Sequence, residues 1–472
     1  MKLKTIFLVR VSSNVDKDVE HPQFFDPPYS LKYIEAGLKR YQDMHVYMFD
    51  CWIEPLNVSG MLNYVSKFHP DLVVISASSF DIDISNEFAA ALKKQTHAPL
   101  VVSIGQGHYL NRDTHNGLWE TYDAILLGEP EKEFFTLFNE MRKNEEPDLS
   151  WKEYYKKCYT KGQRFLIEDP DSLPFPTYTP EELAKYRSIF PVQVPERVVW
   201  GYLIATRGCP HGCEFCSEVM RISIGKRLRS RSAASIADEM EHLAQLGVNI
   251  CSFQDDSFSA NRSLVKSLCQ ELISRNSKMK WMARVRVDEL KYDLLALMKK
   301  AGCVMLGIGV ESGSLRILKS MNKSRDPENW HQLCRKIFSW TKELRIGTNA
   351  YYIIGNPTET KEEIEKTINL ALKLNADSIQ VHFYTPYPGS AAWNKYKDQF
   401  ADQNPEKMYH YAAPLISFAG VSNEELLKLR SKFYLRYLFR PGFAINHLTR
   451  HASFYLHNLD IFWTLLGIRK VF

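Results

Sequence analysis

The sequence predicts an α/β protein: a doubly wound parallel sheet, then a partial (β/α)6 barrel, then a helical C-terminal region. Three observations lead there. Short, continuous apolar runs recur along the chain, as in strands buried on both faces. Between them lie segments with apolar residues three and four apart, the period of a helix. A proline-rich break after residue 143 divides this rhythm into two blocks, and after residue 395 the strand signal disappears.

In residues 1–143 the strands are Ile6–Val11, His45–Trp52, Leu72–Ala77, Pro99–Gly105 and Ala124–Gly128. The first helix carries Leu31, Ile34, Leu38 and Tyr41 on one face behind a Ser30 cap. Gly60–Phe68, Phe88–Lys94 and Glu131–Arg142 are the next helices. Five strands alternating with helices form a doubly wound sheet, which binds ligands at the carboxyl ends of its strands. Residues 144–199 carry Pro170, Pro174, Pro176, Pro180, Pro191 and Pro195, which interrupt regular elements and mark a linker set to wrap the next domain.

Residues 200–395 resume the alternation. Strands fall at Gly201–Thr206, Asn249–Gln254, Trp281–Val285, Val304–Val310, Gly347–Ile353 and Ser378–Tyr384. Ala233–Leu246, Leu264–Arg275, Tyr292–Ala301 and Glu362–Leu374 are helical. Chemistry in barrels of this kind sits at the C-terminal strand ends. Residues 396–472 read as mainly helical.

Composition narrows the function. The 472 residues are 45% hydrophobic and 24% charged, as in a folded globular chain. A net charge of +5 is too small for a bulk electrostatic nucleic-acid binder. No apolar stretch reaches the ~18 residues of a membrane span. Met1–Arg10 reads as a first strand rather than a signal peptide, and a cytoplasmic location is expected.

Of nine cysteines, Cys51, Cys158, Cys251, Cys269, Cys303 and Cys334 are scattered singly, in the manner of buried thiols. Cys209, Cys213 and Cys216 are clustered in the segment Thr206-Arg-Gly-Cys-Pro-His-Gly-Cys-Glu-Phe-Cys216, directly after the first strand of the second block. Cysteine thiolates hold iron–sulfur clusters, and a [4Fe–4S] cluster takes four ligands. Three cysteines in one loop leave one iron open as a reaction site. Gly208 and Gly212 let the loop curl tightly. A zinc site with His211 as fourth ligand is the rival reading.

The C-x-x-x-C-x-x-C loop after a first barrel strand resembles the radical S-adenosylmethionine (SAM) superfamily. The resemblance implies that Cys209, Cys213 and Cys216 hold a [4Fe–4S] cluster whose open iron binds SAM. It implies cleavage of SAM to a 5′-deoxyadenosyl radical. Phe215 stands where the family places an aromatic residue near the adenine. Further segments follow in the family's order: Phe253-Gln-Asp-Asp-Ser-Phe258, Arg284-Val-Arg-Val-Asp288, Gly307-Ile-Gly-Val-Glu-Ser-Gly-Ser314, Leu318–Lys323, Gly355–Thr360 and Pro386–Ser390. Asp255, Asp256, Arg284, Arg286, Glu311 and Ser312 are thereby expected at SAM, carboxylates on its cationic groups and arginines on its carboxylate.

A doubly wound domain ahead of such a barrel is similar to the cobalamin-binding subfamily. The resemblance rests on Pro27–Leu31, Ile34–Leu38, Asp71–Phe80, Gly105-Gln-Gly-His108 and Leu127-Gly-Glu129. It implies cobalamin at the strand ends, near Ser78, Ser79, Phe80, Gly105, Gly107, His108, Gly128 and Glu129. Gln106 and Pro130 stand where the family often has glycines, so a domain that keeps the fold without the cofactor is the alternative.

From Leu426 onward there are eight Lys and Arg residues against one acid, Asp460, with aromatics interleaved. Such a stretch either covers the open side of the barrel or lies on an anionic membrane surface. The expected function is cobalamin-dependent methylation of an unactivated carbon in a small or lipid-like molecule, with a reductant such as flavodoxin or ferredoxin. The alternatives are radical cyclisation, rearrangement or carbon–carbon coupling, then methylthio transfer to tRNA, then a non-enzymatic metal protein. Tyr351, Tyr352, Gln380, His382 and Tyr384 are the candidates to line a substrate pocket.

Overall fold

The computed structural model describes residues 3–12, 26–78, 81–105, 107–108, 118–126, 128–143, 165–186, 197–216, 227–387, 390–400, 420–443, 451–454 and 456–457. Cys158, Ser79, Phe80, Gln106, Leu127, Pro191, Pro195, Pro388, Gly389 and the end of the basic, aromatic tail lie outside these residues. The chain forms two compact units, the first built mainly on residues 1–186 and the second on residues 187–216, 226–396 and 408–472.

In the first unit, β1 (Thr5–Arg10), β2 (His45–Asp50), β3 (Leu72–Ser76), β4 (Leu100–Ile104) and β5 (Ala124–Ile125) form a parallel sheet in the order β2-β1-β3-β4-β5. The reversal of order lies between β1 and β3. The continuous apolar runs are explained by two cores. Phe7, Val9, Val73, Ile75 and Val101 point to one face, with Phe88 and Tyr122. Ile6, Leu8, Leu72, Val74 and Val102 point to the other, with Ile34 and Phe134. Successive strand residues alternate between faces, so a strand covered on both sides must be apolar throughout.

Two helix starts differ from the sequence reading. Ser30 is not a cap: the helix begins at Tyr29 behind Pro28, and the Ser30 hydroxyl reaches Glu131 Oε1 at 3.2 Å. The third helix begins at Ile82, because its polar first turn hides the apolar period. Residues 165–186 of the proline-rich stretch pack on this unit. Phe165 joins the second core, the buried Lys32 ammonium meets Glu35, Glu182 and the Thr177 carbonyl, and Tyr186 Oη donates to Asp50 at 2.9 Å.

The second unit contains β6 (Trp200–Leu203), β7 (Thr206–Arg207), β8 (Arg229–Ser230), β9 (Ile250–Phe253), β10 (Lys280–Val285), β11 (Cys303–Glu311), β12 (Gly347–Ile354) and β13 (Ser378–Phe383). β6 and β9 to β13 form one parallel sheet whose spatial order follows chain order without reversal, the winding of a barrel. β7 and β8 form a separate antiparallel ladder.

The helix Asn423–Leu438 covers the β12–β13 side. It buries Leu426, Leu429, Phe433 and Tyr437, with the Phe433 ring tilted against that of Tyr352, centroids 5.2 Å apart. The Tyr434 hydroxyl accepts from Val381 N on the edge strand at 3.0 Å. Lys432 and Arg436 on this helix are paired with Glu365. Phe433 and Tyr437 are therefore core, whereas Phe439 at the helix end is exposed. No helix among the described residues is long and apolar enough to cross a membrane.

After β11 the backbone passes tightly under the helix Lys361–Leu374. A Cβ on Gly313 would sit 2.4 Å from the Lys366 carbonyl oxygen and 2.6 Å from Thr367 N. Backbone cannot yield as a side-chain tip can. Gly313→Ala is expected to cost about 1–3 kcal/mol and lower the urea midpoint of this unit. Gly420→Ala, whose nearest neighbour would be 3.6 Å away, is expected to leave it unchanged.

Candidate functional site

The cysteine loop is held at its neck before anything else positions it. The buried Asp255 carboxylate accepts from Ala205 N at 3.2 Å, Thr206 N at 2.5 Å and Thr206 Oγ1 at 2.5 Å. This ties the end of β6 to the end of β9, just where the β7/β8 ladder closes the loop. Behind β8, the buried Arg231 guanidinium pairs with Glu239 and donates to the Ser235 carbonyl at 3.1 Å.

The loop interior is pinned from two sides. His211 Nε2 contacts the Glu289 carboxylate, which also accepts from Ser257 Oγ at 2.9 Å and from Ser259 Oγ. Burial works against the Glu289 charge, but His211 and the two serines more than offset it and hold the carboxyl below its usual range. On the other side, Asn322 Nδ2 donates to the Gly212 carbonyl at 2.8 Å and Glu214 N donates to the Met321 carbonyl at 2.8 Å.

Of the three thiols, Cys213 is buried, Cys209 half-buried and Cys216 exposed. Arg286 Nη1 lies 3.6 Å from Cys213 Sγ. Burial raises the Cys209 thiol, against the His211 backbone N–H. A single zinc ion needs donors packed about 2.3 Å from it. Among the described residues no three Cys, His, Asp or Glu side chains converge in that way. His211, the rival fourth ligand, is committed to Glu289. Three thiols on one loop are the number a [4Fe–4S] cluster takes when one iron is left open.

The loop opens onto a cavity of about 300 Å³ at the C-terminal ends of the barrel strands, lined by Phe215 from the loop itself. Asp256 and Ser257 follow β9, Arg284 and Arg286 end β10, Gly307, Gly309 and Glu311 end β11, and Tyr351 and Ile353 end β12. His382, Tyr384 and Tyr387 complete the wall. Alternation selects Gly307, Gly309 and Glu311 on β11 and Tyr351 and Ile353 on β12, while the ends of β10 and β13 contribute consecutive residues.

Glycine on β11 leaves room for side-chain ends that a Cβ would force to shift. A Cβ on Gly307 would lie 2.9 Å from the Tyr351 ring, and one on Gly309 would meet Glu311 at 2.3 Å and Lys323 at 2.8 Å. Glu311 takes the left-handed conformation at φ 68° and pairs with Lys323 at 2.7 Å. Such backbone strain persists only where its surroundings over-determine it. Burial opposes the Lys323 charge, yet Glu311 and Cys213 hold its pKa above the usual lysine value. Burial, with Asp255 beside it, pushes the Asp256 carboxyl up to about 6, while Arg284 pulls the other way.

The structure redistributes the expected SAM residues. Phe215, Asp256, Arg284, Arg286 and Glu311 come together on the cavity. Asp255 does not, because its carboxylate is spent on the β6 end. Ser312 does not either: it is fully buried, with its hydroxyl at Thr367 Oγ1 (3.3 Å) and accepting from Ser314 N (3.1 Å). Among the expected substrate residues, Tyr351, His382 and Tyr384 line the cavity. Tyr352 alternates to the opposite face, against Phe433. Gln380 shares the His382 face one pair deeper, opposite Tyr351, and is not part of the wall. The sequence reading left Lys323 out of the site. Its only signal was a lysine closing the Leu318–Lys323 run.

Residues 203–371 match the radical SAM superfamily. The chain is 28% identical to an uncharacterized methyltransferase of Pyrococcus horikoshii over 91% of both chains. It is 25% identical to an anaerobic magnesium-protoporphyrin IX monomethyl ester cyclase of Cereibacter sphaeroides, over 88% of this chain and 68% of the relative. Its fold is similar to that of the radical SAM methyltransferase TsrM of Kitasatospora setae, solved with cobalamin and a [4Fe–4S] cluster. The TM-score is 0.61 at 18% identity, over 85% of this chain and 79% of TsrM.

In the first unit, the β3 and β4 ends lie close together. Gly105 has φ 100°, and a Cβ there would meet the Ala77 carbonyl at 2.5 Å; one on Gly107 would meet the Ser78 carbonyl at 2.5 Å. Ser78 Oγ donates to Asp81 at 2.6 Å. His108 is fully buried, edge-on to Tyr122 at 4.8 Å. The β5 end is occupied by the chain itself. A Cβ on Gly128 would strike the Phe165 backbone at 2.7 Å, Glu129 N donates to the Phe165 carbonyl at 2.9 Å, and the Glu129 carboxylate accepts from Ile167 N. Gly128 and Glu129 thus hold residues 165–167 rather than face a ligand. Pro130 is the first residue of its helix, where proline is favoured.

The loop restraint can be tested without any cofactor. Glu289→Ala removes the acceptor for His211 and is expected to speed iodoacetamide alkylation of Cys213 in the apoprotein roughly fivefold, the effect of about 1 kcal/mol of lost hydrogen bonding. Cys216, already exposed, is expected to react at an unchanged rate in the same digest.

Proposed function

We propose that the chain is a cobalamin-dependent radical SAM methyltransferase acting on an unactivated carbon of a small molecule. The observation that carries this is the cysteine loop opening onto a cavity whose walls bear both signs of charge. In this reading Cys209, Cys213 and Cys216 hold the cluster. Phe215 lies against the adenine. Asp256 and Glu311 take the cationic groups of SAM, and Arg284 takes its carboxylate. Cobalamin is assigned to the β1/β3 reversal of the first sheet, at Ser78, Asp81, Gly105 and Gly107, where sheets of this strand order bind ligands. When bound, the cluster supplies the electron that cleaves SAM, and cobalamin carries the methyl group. The residues of the chain position both reactants and exclude water. Tyr351, His382 and Tyr384 form the substrate wall, and a low-potential carrier such as flavodoxin or ferredoxin serves as reductant.

The methyltransferase relative and the fold of TsrM support methylation. The cyclase relative and the occupied β5 end favour a second reading, radical cyclisation without cobalamin. Product mass separates them, since methylation adds about fourteen mass units by its formula.

Replacing any one of Cys209, Cys213 and Cys216 by Ala is expected to abolish both iron retention after anaerobic reconstitution and formation of 5′-deoxyadenosine from SAM. Wild-type protein that retains four irons yet leaves SAM intact would contradict the proposal. The Asp256 carboxyl titrates at about 6 in the free site, and only its ionised form attracts a cation. SAM affinity is therefore expected to rise between pH 5 and pH 7 (on the order of one unit either side of that value) and then level off. Asp256→Asn is expected to bind about tenfold more weakly and to lose this pH dependence, measured by equilibrium dialysis with iron content unchanged.

A further inference from the structure

Arg284 and Arg286 end the same strand two residues apart, yet their surroundings differ. Arg284 is exposed at the cavity mouth, whereas the Arg286 side chain is 8% exposed. Three of the five Arg286 N–H groups are spent on oxygen. Nε donates to Asp288 Oδ1 at 3.1 Å, and Nη2 donates to Asp288 Oδ2 at 2.9 Å and to the Lys323 carbonyl at 2.6 Å. The guanidinium also lies 5.4 Å over the Trp330 ring. Its orientation is thus set without the thiol. Nη1 is left aimed at Cys213 Sγ, 3.6 Å away, and both groups are buried.

We propose that Arg286 is not a ligand of SAM but a positioning residue for Cys213, donating to its sulfur and making the cluster held there easier to reduce. This rests on the proposed function. Hydrogen bonds and charge at the ligand sulfurs set the potential of an iron–sulfur centre. A cation beside the sulfur stabilises the extra negative charge of the reduced state, and burial spares it from screening by water. The electron comes from an external one-electron carrier, which is oxidised in turn; Arg286 exchanges neither electron nor proton. A lysine in its place keeps the charge and loses the fork that locks it on Asp288. The two arginines then divide the work, Arg284 on SAM and Arg286 on the cluster.

The test uses the full chain, reconstituted without oxygen, in wild-type, Arg286→Gln and Arg286→Lys forms. Iron and sulfide are counted, the midpoint potential is read by an EPR-monitored titration without SAM, and SAM affinity is measured by dialysis. Arg286→Gln is expected to hold full iron and bind SAM within about twofold of wild type, with a midpoint shifted to more negative potential. Arg286→Lys is expected to shift less in the same direction. An unchanged potential at full iron content overturns the proposal, and a loss of SAM affinity at unchanged potential makes Arg286 a SAM ligand instead. If Arg286→Gln fails to load iron, an unshifted Arg286→Lys overturns it alone. Wild-type protein that loads no iron overturns the proposed function as well.

Discussion

One buried carboxylate decides where the reactive loop begins. Asp255 is 1% exposed, and burial pushes its carboxyl up to about 6. Burying such a charge is costly unless donors surround it. Two backbone N–H groups and one hydroxyl at the end of β6 do so. The cost of the charge and the geometry of the loop are therefore linked: the carboxylate is tolerated because it binds the first strand end, and the strand end is fixed because the carboxylate needs it. The β7/β8 ladder, the Glu289 contact to His211 and the bonds to Met321 and Asn322 each act on a loop whose neck is already closed.

The same economy governs the cavity. Its cations and anions are mostly paired before any ligand arrives, Arg286 with Asp288 and Lys323 with Glu311. Paired charges keep fixed positions, and fixed dipoles in a partly dry site act more strongly than mobile ones in water. Gly307 and Gly309 clear the space in which Tyr351 and the Glu311–Lys323 pair meet the cavity. The glycines, the strained Glu311 and the buried Lys323 form one packing solution, so a change at any of them disturbs the others.

Much of this was legible in the sequence, for definable reasons. Strands covered on both faces leave continuous apolar runs, and three cysteines within eight residues have few other uses. What was not legible depends on which way neighbours turn. Asp255 and Asp256 are adjacent and chemically identical, but only the fold shows that one serves the β6 end and the other the cavity. Tyr351 and Tyr352 are separated by strand alternation whose phase the sequence did not reveal. Ser312 looked like a site residue and is buried under a helix that arrives some fifty residues later, at Thr367. Lys323 was not placed in the site because a lysine after a helix is usually solvated, and Glu129 was placed at the cofactor because its true partner lies in a proline-rich stretch that carries no pattern.

The proposed function requires one chain to hold both an iron–sulfur cluster and cobalamin. The most direct measurement is the iron, sulfide and cobalt content, with the visible spectrum, of protein purified without oxygen from cells supplied with cobalamin. About four irons and about one cobalt per chain are expected. Four irons without cobalt would contradict that function, leaving a radical SAM barrel whose N-terminal sheet keeps the fold for another purpose.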